Sequence, residues 1–256
     1  RANPNITIFE VTGNQHYTFP MLTNVSPFDD LAVRKALKFA INREEMVDKI
    51  LLGHGAVGND HPIGPANQYF ASDLAQNAYD PDMAAKILAD AGVSDVSVQL
   101  SASDAAFSGA VDAAQLYQAS ASAAGINIEV VQEPADGYWS NVWLKKPWCA
   151  CYWSGRATED WMFSTAYETG VPWNDTKWEN ARFQELMLMG RAELDTSKRS
   201  EIYTEMQAIM SADGGTVVPM YANYVDAHSS KLANSGTIGN LWQMDSSRLA
   251  ERWWMA

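Results

Sequence analysis

A chain of 256 residues with 18 basic and 31 acidic side chains has a formal charge of −13. That balance argues against a nucleic-acid partner, because such binding rests on neutralising phosphates with Lys and Arg. Apolar residues make up 47% of the sequence, too many for a disordered chain and enough to bury a core.

In chain order, Arg1-Ala2-Asn3-Pro4 leads through Asn5 into the strand-like ITIFEV, with no secretory leader read ahead of it. DDLAVRKALKFAINREEMVDKILLGHG then predicts two consecutive helices. Leu31, Ala36, Leu37, Ala40 and Ile41 recur at helical spacing behind Asp29 or Asp30 as N-cap. Asn42 caps the second helix, Glu45 completes a capping box and Gly53 stops it. The glycines and prolines of GHGAVGNDHPIGPANQYFASD predict a loop.

Asp80-Pro81 opens a third helix that Gly92 ends. The period then shortens: Val96, Val98 and Leu100 alternate as a strand, residues 104 to 124 are Ala-rich and helical, and Ile126, Ile128 and Val130 alternate again. Helix, strand, helix, strand predicts a right-handed crossover onto a parallel or mixed sheet. A short helix over 136 to 145 leads to an apolar strand, PWCACYW. Asp175 or Thr176 then caps a helix, and Asp195 caps the next as far as Gly214. TVVPMYANYV is the final strand, placed by Pro219 at an edge or a bend. No apolar run reaches membrane-span length.

Candidate chemistry is sparse. Cys149 and Cys151 stand two apart in a predicted strand, too close for an unstrained disulfide, and read as buried thiols. His16, His54, His61 and His228 are scattered. His54 and His61 share a loop, but no metal is assigned, because a site needs three or four converging ligands. No nucleophile elbow, phosphate loop or dinucleotide fingerprint occurs. Glu159 and Asp160 are adjacent and would diverge in any regular element, so they read as loop capping or as partners of Arg156 rather than a catalytic pair. Seven tryptophans lie between Trp139 and Trp178. Of these, Trp143 and Trp178 are expected in the core, Trp153 and Trp161 near a ligand.

SPFDDLAVRKALKFAINREEMVDKILLGHG, YDPDMAAKILADAG, GINIEVVQEPADGYWSNVWLKKPWCACYWSG and KRSEIYTEMQAIMSADGGTVVPMYANY together resemble one family. It is that of the extracytoplasmic solute-binding proteins of peptide, opine and nickel ABC importers. The resemblance implies an α/β fold, a periplasmic-binding-protein type II lobe with a mixed sheet flanked by helices. It also implies that this chain matches the C-terminal part of longer, two-lobed proteins. Residues 1–24 would be an extended lead-in and first hinge crossing, 25–221 the second ligand-binding lobe, and 222–256 the second crossing and a returning tail. Hinge crossings are expected near Tyr17 to Thr23 and near Met220 to Tyr224.

In peptide-binding members an acidic residue three after a tryptophan meets the ligand's α-amino group. Counting from Trp153 gives Ser154, Gly155 and then Arg156, a reversal of charge. A guanidinium suits a carboxylate or phosphate, so the resemblance implies a peptide, an opine-like molecule or another organic anion as ligand. The alternative is that Arg156 pairs only with Glu159 or Asp160. The family's aromatic loop corresponds to Pro65 to Phe70, where Gln68 or Tyr69 takes the place of a tryptophan, and Tyr138 is a further candidate. The implied partners are the solute and the membrane permease subunits of an ABC importer, in the periplasm or on a lipid anchor outside the cytoplasm, with no cofactor. A hydrolase of peptides or glycosides, and a sensor or scaffold built on the same lobe, are the competing readings.

Overall fold

The structure, a computed structural model, describes residues 3–256; the first two residues of the lead-in lie outside the described residues. Its centre is a long antiparallel pair. β1 (Ile6–Pro20) runs beside β6 (Thr216–Ser229), with His16 opposite Tyr221 and Tyr17 opposite Met220. β2 (Gly55–Val57) extends the far side of β6, and β5 (Cys151–Trp153) extends β1, giving the order β2-β6-β1-β5. The inner halves of β1 and β6 are buried, whereas their outer halves run out as a two-stranded ribbon that exposes Ile6, Ile8 and Val225.

A second sheet pairs β3 (Ser97–Ala102) with β4 (Asn127–Gln132) in parallel, joined by α4 (Ala110–Ser122). This is the predicted strand–helix–strand crossover. The segment before β5 ties the two sheets together: Cys149 bridges Ser101 in parallel, and Trp148 bridges Met21 in antiparallel sense. Trp148 is fully buried and its indole N–H donates to the Phe19 carbonyl at 3.2 Å. Burying one such side chain stabilises by on the order of 5 kcal/mol before entropy is counted.

The helices form for the reasons legible in the chain. Asp30 accepts from the Ala32 amide ahead of α1 (Leu31–Phe39), and Asn42 from the Glu45 amide ahead of α2 (Arg43–Lys49). Asp80 caps α3 (Pro81–Asp90), which carries its proline in the first turn. Asp195 caps α8 (Thr196–Asp213) through the Lys198 amide. Their apolar faces fill two cores. The first lies among α1, α4, β3, β4 and Trp148; the second gathers Phe163, Trp178, Phe183, Met206 and Met210 beneath Trp153.

Several expectations are corrected. β2 forms inside the predicted loop. The Ala-rich helix starts at Ala110 rather than 104, and the short helix α5 spans only Tyr138–Asn141. Asp175 and Thr176 do not cap α7 (Ala181–Ala192); Asn180 does, accepting from the Phe183 amide at 2.9 Å. Glu159 and Asp160, read as loop capping, instead open α6 (Glu159–Ala166), which Thr158 caps. Pro219 lies on a central strand rather than an edge, and of the two expected placements it takes the bend. The register slips between Tyr17–Met220 and Phe19–Val217, so the proline occupies an irregularity where no ladder N–H is required of it.

Candidate functional site

The stretch from Trp153 to Thr158 is fastened at both ends. Trp153 pairs with His16 across β5 and β1, and Thr158 accepts from the Trp161 amide at the start of α6. In between, Gly155 lies flat against Asn14, where an added Cβ would come within 1.8 Å of the amide side chain. The Asn14 Nδ2 donates to the Arg156 carbonyl at 3.4 Å. Only glycine permits this approach, and it fixes the direction in which the next residue leaves the sheet.

Arg156 is half-buried. Its Nη1 donates to the Ser154 carbonyl at 2.7 Å and to the Gly155 carbonyl at 3.3 Å, and the guanidinium carbon lies 6.0 Å from the Trp153 ring centre and 5.7 Å from that of Trp161. Partial burial pulls its pKa below the usual arginine value. The internal pairing that the sequence allowed does not form. Glu159 is buried and accepts the Tyr69 amide at 2.9 Å, while Asp160 is taken by Arg191 at 2.7 Å. The same two contacts separate the carboxylates from each other's work, so they do not flank a common reacting bond.

Beside Arg156 opens a cleft of about 300 Å³ lined by Trp139, Trp143, Tyr152, Trp153, Ser154 and Trp173, with Cys151 at its base. The rings brace one another edge to face: Trp139–Tyr152 centroids are 5.7 Å apart, Trp139–Trp143 5.9 Å and Trp143–Trp153 6.1 Å. Trp143 is pinned further by its N–H, which donates to the buried Asp175 carboxylate at 3.0 Å. Burial pushes Asp175 up to about 6. It also pushes the Cys149 and Cys151 thiols above the usual range, leaving both free and un-ionised.

Of the sequence-derived candidates, the fold brings Trp153, Ser154 and Arg156 to this cleft and sets Trp161, largely exposed, beyond the guanidinium. Gly155 is buried against Asn14 and does not line the cleft. Tyr138 is not available: it is 1% exposed, and its hydroxyl donates to the Ala150 carbonyl at 2.7 Å. Gln68 and Tyr69 border a different depression, beside Asp160 and Arg191, and Tyr69 is buried against Tyr203. Trp178 is in the core as expected, but Trp143 is a half-buried wall of the cleft. Trp139, Tyr152 and Trp173 were missed. Trp139 and Trp143 stand four apart on one turn, a spacing that does signal a shared face; nothing in the sequence brings Trp173 to them. His54 bonds Glu10 at 3.0 Å near the surface, whereas His61 is buried against Tyr221, so the two do not converge.

Residues 1–175 match the family of bacterial extracellular solute-binding proteins, family 5 Middle. The chain is 25% identical over 226 residues to the dipeptide-binding protein of Escherichia coli (strain K12), covering 82% of this chain and 41% of that protein. It is 27% identical over 219 residues to di/tripeptide-binding protein 2 of Pseudomonas aeruginosa, again covering 82% and 41%. Among solved structures, the oligopeptide-binding protein AppA from Bacillus subtilis in complex with a nonapeptide superposes with a TM-score of 0.82 at 20% identity, over 98% of this chain and 53% of that one. NikZ from Campylobacter jejuni in complex with Ni(L-His) gives 0.83 at 17%, over 98% and 54%. The chain thus spans about two fifths of the length of the curated relatives it matches. These structures establish the type II periplasmic-binding fold, with a mixed sheet and flanking helices. Members of the family are binding proteins rather than enzymes, and among the described residues no helix is long and apolar enough to cross a membrane. By the span and order of the match, the chain belongs to the bacterial extracellular solute-binding proteins of family 5.

Proposed function

We propose that the chain is the second ligand-binding lobe of the solute-binding component of an ABC importer, and that Arg156 receives an anionic group of the captured solute. The observation that carries this is a half-buried guanidinium on a cleft, held only by carbonyl and hydroxyl oxygens of its own loop, with both nearby carboxylates engaged elsewhere. Such a group has forked donors left for a carboxylate or phosphate.

In this reading residues 25–221 form the lobe. The paired strands of residues 1–24 and 222–256 cross to a first lobe, and their adjacency suits a hinge that absorbs dihedral change on closure. The ligand is a peptide, an opine-like molecule or another organic anion, and contacts made in both lobes favour the closed form in proportion to their number. The closed receptor is what permease subunits recognise, outside the cytoplasm, and ATP is hydrolysed on a separate protein. No residue is assigned a catalytic role.

The test is Arg156→Ala in the complete two-lobed protein, titrated calorimetrically with the solute released from gently purified material. Loss of a desolvated charged contact costs about 2–5 kcal/mol, a fall of about thirtyfold or more in affinity. Unchanged affinity ends the clamp reading.

A further inference from the structure

Five large aromatic side chains are exposed among the described residues, and four of them stand about one place. Trp139, Tyr152 and Trp173 line the cleft at 41%, 40% and 49% exposure, and Trp161 lies across Arg156 at 47%. Water contact for so many rings is costly, and a contiguous exposed apolar patch marks a surface that something else covers. The edge-to-face bracing and the Trp143–Asp175 hydrogen bond hold the walls in place before any ligand arrives. Little ordering cost then falls on binding.

The lining decides what chemistry fits. Aromatic boxes commonly hold cations. Here, however, a guanidinium already rests near Trp153 and Trp161, and no carboxylate lines the cleft. A second cation would meet the like charge of Arg156 with no carboxylate in the lining to offset it. Carbohydrate also stacks on indoles, yet it needs several polar side chains to fix its hydroxyls. No amide or carboxylate side chain is present here to do so. A flat apolar group against the rings, with an anion on the guanidinium, satisfies both halves of the site. At about 300 Å³ the cleft is at the small end of ligand sites and takes one ring system rather than a long chain.

Resting on the anion-binding role of Arg156, we propose that this cleft selects solutes carrying an aromatic ring within a few bonds of a free carboxylate, as in a peptide or acylated amino acid that ends in an aromatic residue. Trp139, Tyr152 and Trp173 are the specificity-determining residues and Arg156 the anion clamp.

Ligand-observed NMR of the complete two-lobed protein is the test, with every substitution made on this chain. The probes are N-acetyl-phenylalanine, N-acetyl-alanine and N-acetyl-phenylalaninamide. The aromatic acid should bind about tenfold more tightly than the alanine acid. Trp173→Ala or Trp139→Ala, both at exposed positions, should remove that advantage, and Arg156→Gln should weaken both acids alike. Equal binding of the two acids, with both lost in Arg156→Gln, overturns the aromatic selection and leaves the anion clamp standing. Binding of the neutral amide as tight as the acid and indifferent to Arg156→Gln overturns the anion clamp and this proposal with it. No binding by any probe at millimolar concentration overturns the selection as stated.

Discussion

Asp160 bonds Arg191 at 2.7 Å and not Arg156, four positions earlier in the chain. Because α6 begins at Glu159, the first helical turn carries Asp160 toward α7, where Arg191 sits in the last turn. Arg156 stays behind on the loop, beside the tryptophans. One turn of helix therefore decides which arginine is neutralised and which keeps its charge for another purpose.

That arrangement makes charge reversal informative. Arg156→Asp, in the complete protein, places an acceptor where donors stood. It should invert the ligand preference from anionic groups to ammonium groups, by about thirtyfold in each direction. The variant should change stability little, since the native side chain bonds only its own loop. Calorimetric titration with amidated and acylated forms of one peptide measures the inversion, and an unchanged ratio would count against the role given to Arg156.

Gly155 controls the same loop from beneath. A Cβ there would meet the Asn14 amide at 1.8 Å, in a place where both residues are buried. Gly155→Ala should cost about 1–3 kcal/mol through overpacking. The cost should shrink when Asn14→Ala removes the atoms in the way, a departure from additivity expected of direct neighbours. Urea unfolding of the two single variants and the double measures it. Additive losses would mean that the contact is not what confines the loop.

The innermost ion pair lies elsewhere. Arg43 and Asp60 meet at 2.6 Å with both side chains out of water, and Asp60 also accepts from the Asn77 side chain at 2.8 Å and the Val218 amide at 3.0 Å. The pair bolts α2 and the loop after β2 to the central strand β6. Asp60→Ala strands a buried guanidinium and should cost about 3–5 kcal/mol. A loss below about 1 kcal/mol by equilibrium unfolding would contradict it.

Acid should destabilise this fold through two imidazoles. Burial holds His16 and His61 down at about 4, against an ordinary 6.5, so both fold as neutral rings. Their contribution is complete above pH 6.5 and is lost as pH falls toward 4, because the unfolded chain takes up protons first. Each is worth on the order of 3 kcal/mol across that window. Asp175 acts in the opposite sense. Raised to about 6 from 3.8, it stabilises below pH 3.8, and that gain disappears as pH rises to 6. Two groups outweigh one, so stability should fall on acidification from 6.5 to 4. His16→Gln and His61→Gln should each flatten the slope of urea midpoint against pH. A slope unchanged in both variants would exclude the histidines as its source.

How much of this was readable beforehand depends on the range of the interaction responsible. Asp30, Asn42, Asp80 and Asp195 cap the helices they were expected to cap because a cap bonds an amide two or three residues away. The β3–α4–β4 crossover was readable from a change of period within forty residues. Arg156 could be singled out because its neighbours in the chain resemble a known pattern. These are local facts, and the order of side chains along the backbone is enough to determine them.

Tertiary structure decided the rest. Tyr138 and Tyr69 are expected as ligand contacts from the sequence, but β3 and the residue ahead of β5 close over the first and α8 over the second. Trp173 joins Trp143 and Trp153 across a span that no periodicity connects, and whether a tryptophan faces water or core leaves no mark on its own sequence neighbourhood. Pro219 is admitted to a central strand only because the partner strand slips in register there. Exposure, ring-to-ring contact and the choice between two nearby acids are set by segments far apart in the chain, so they come into being only when those segments meet.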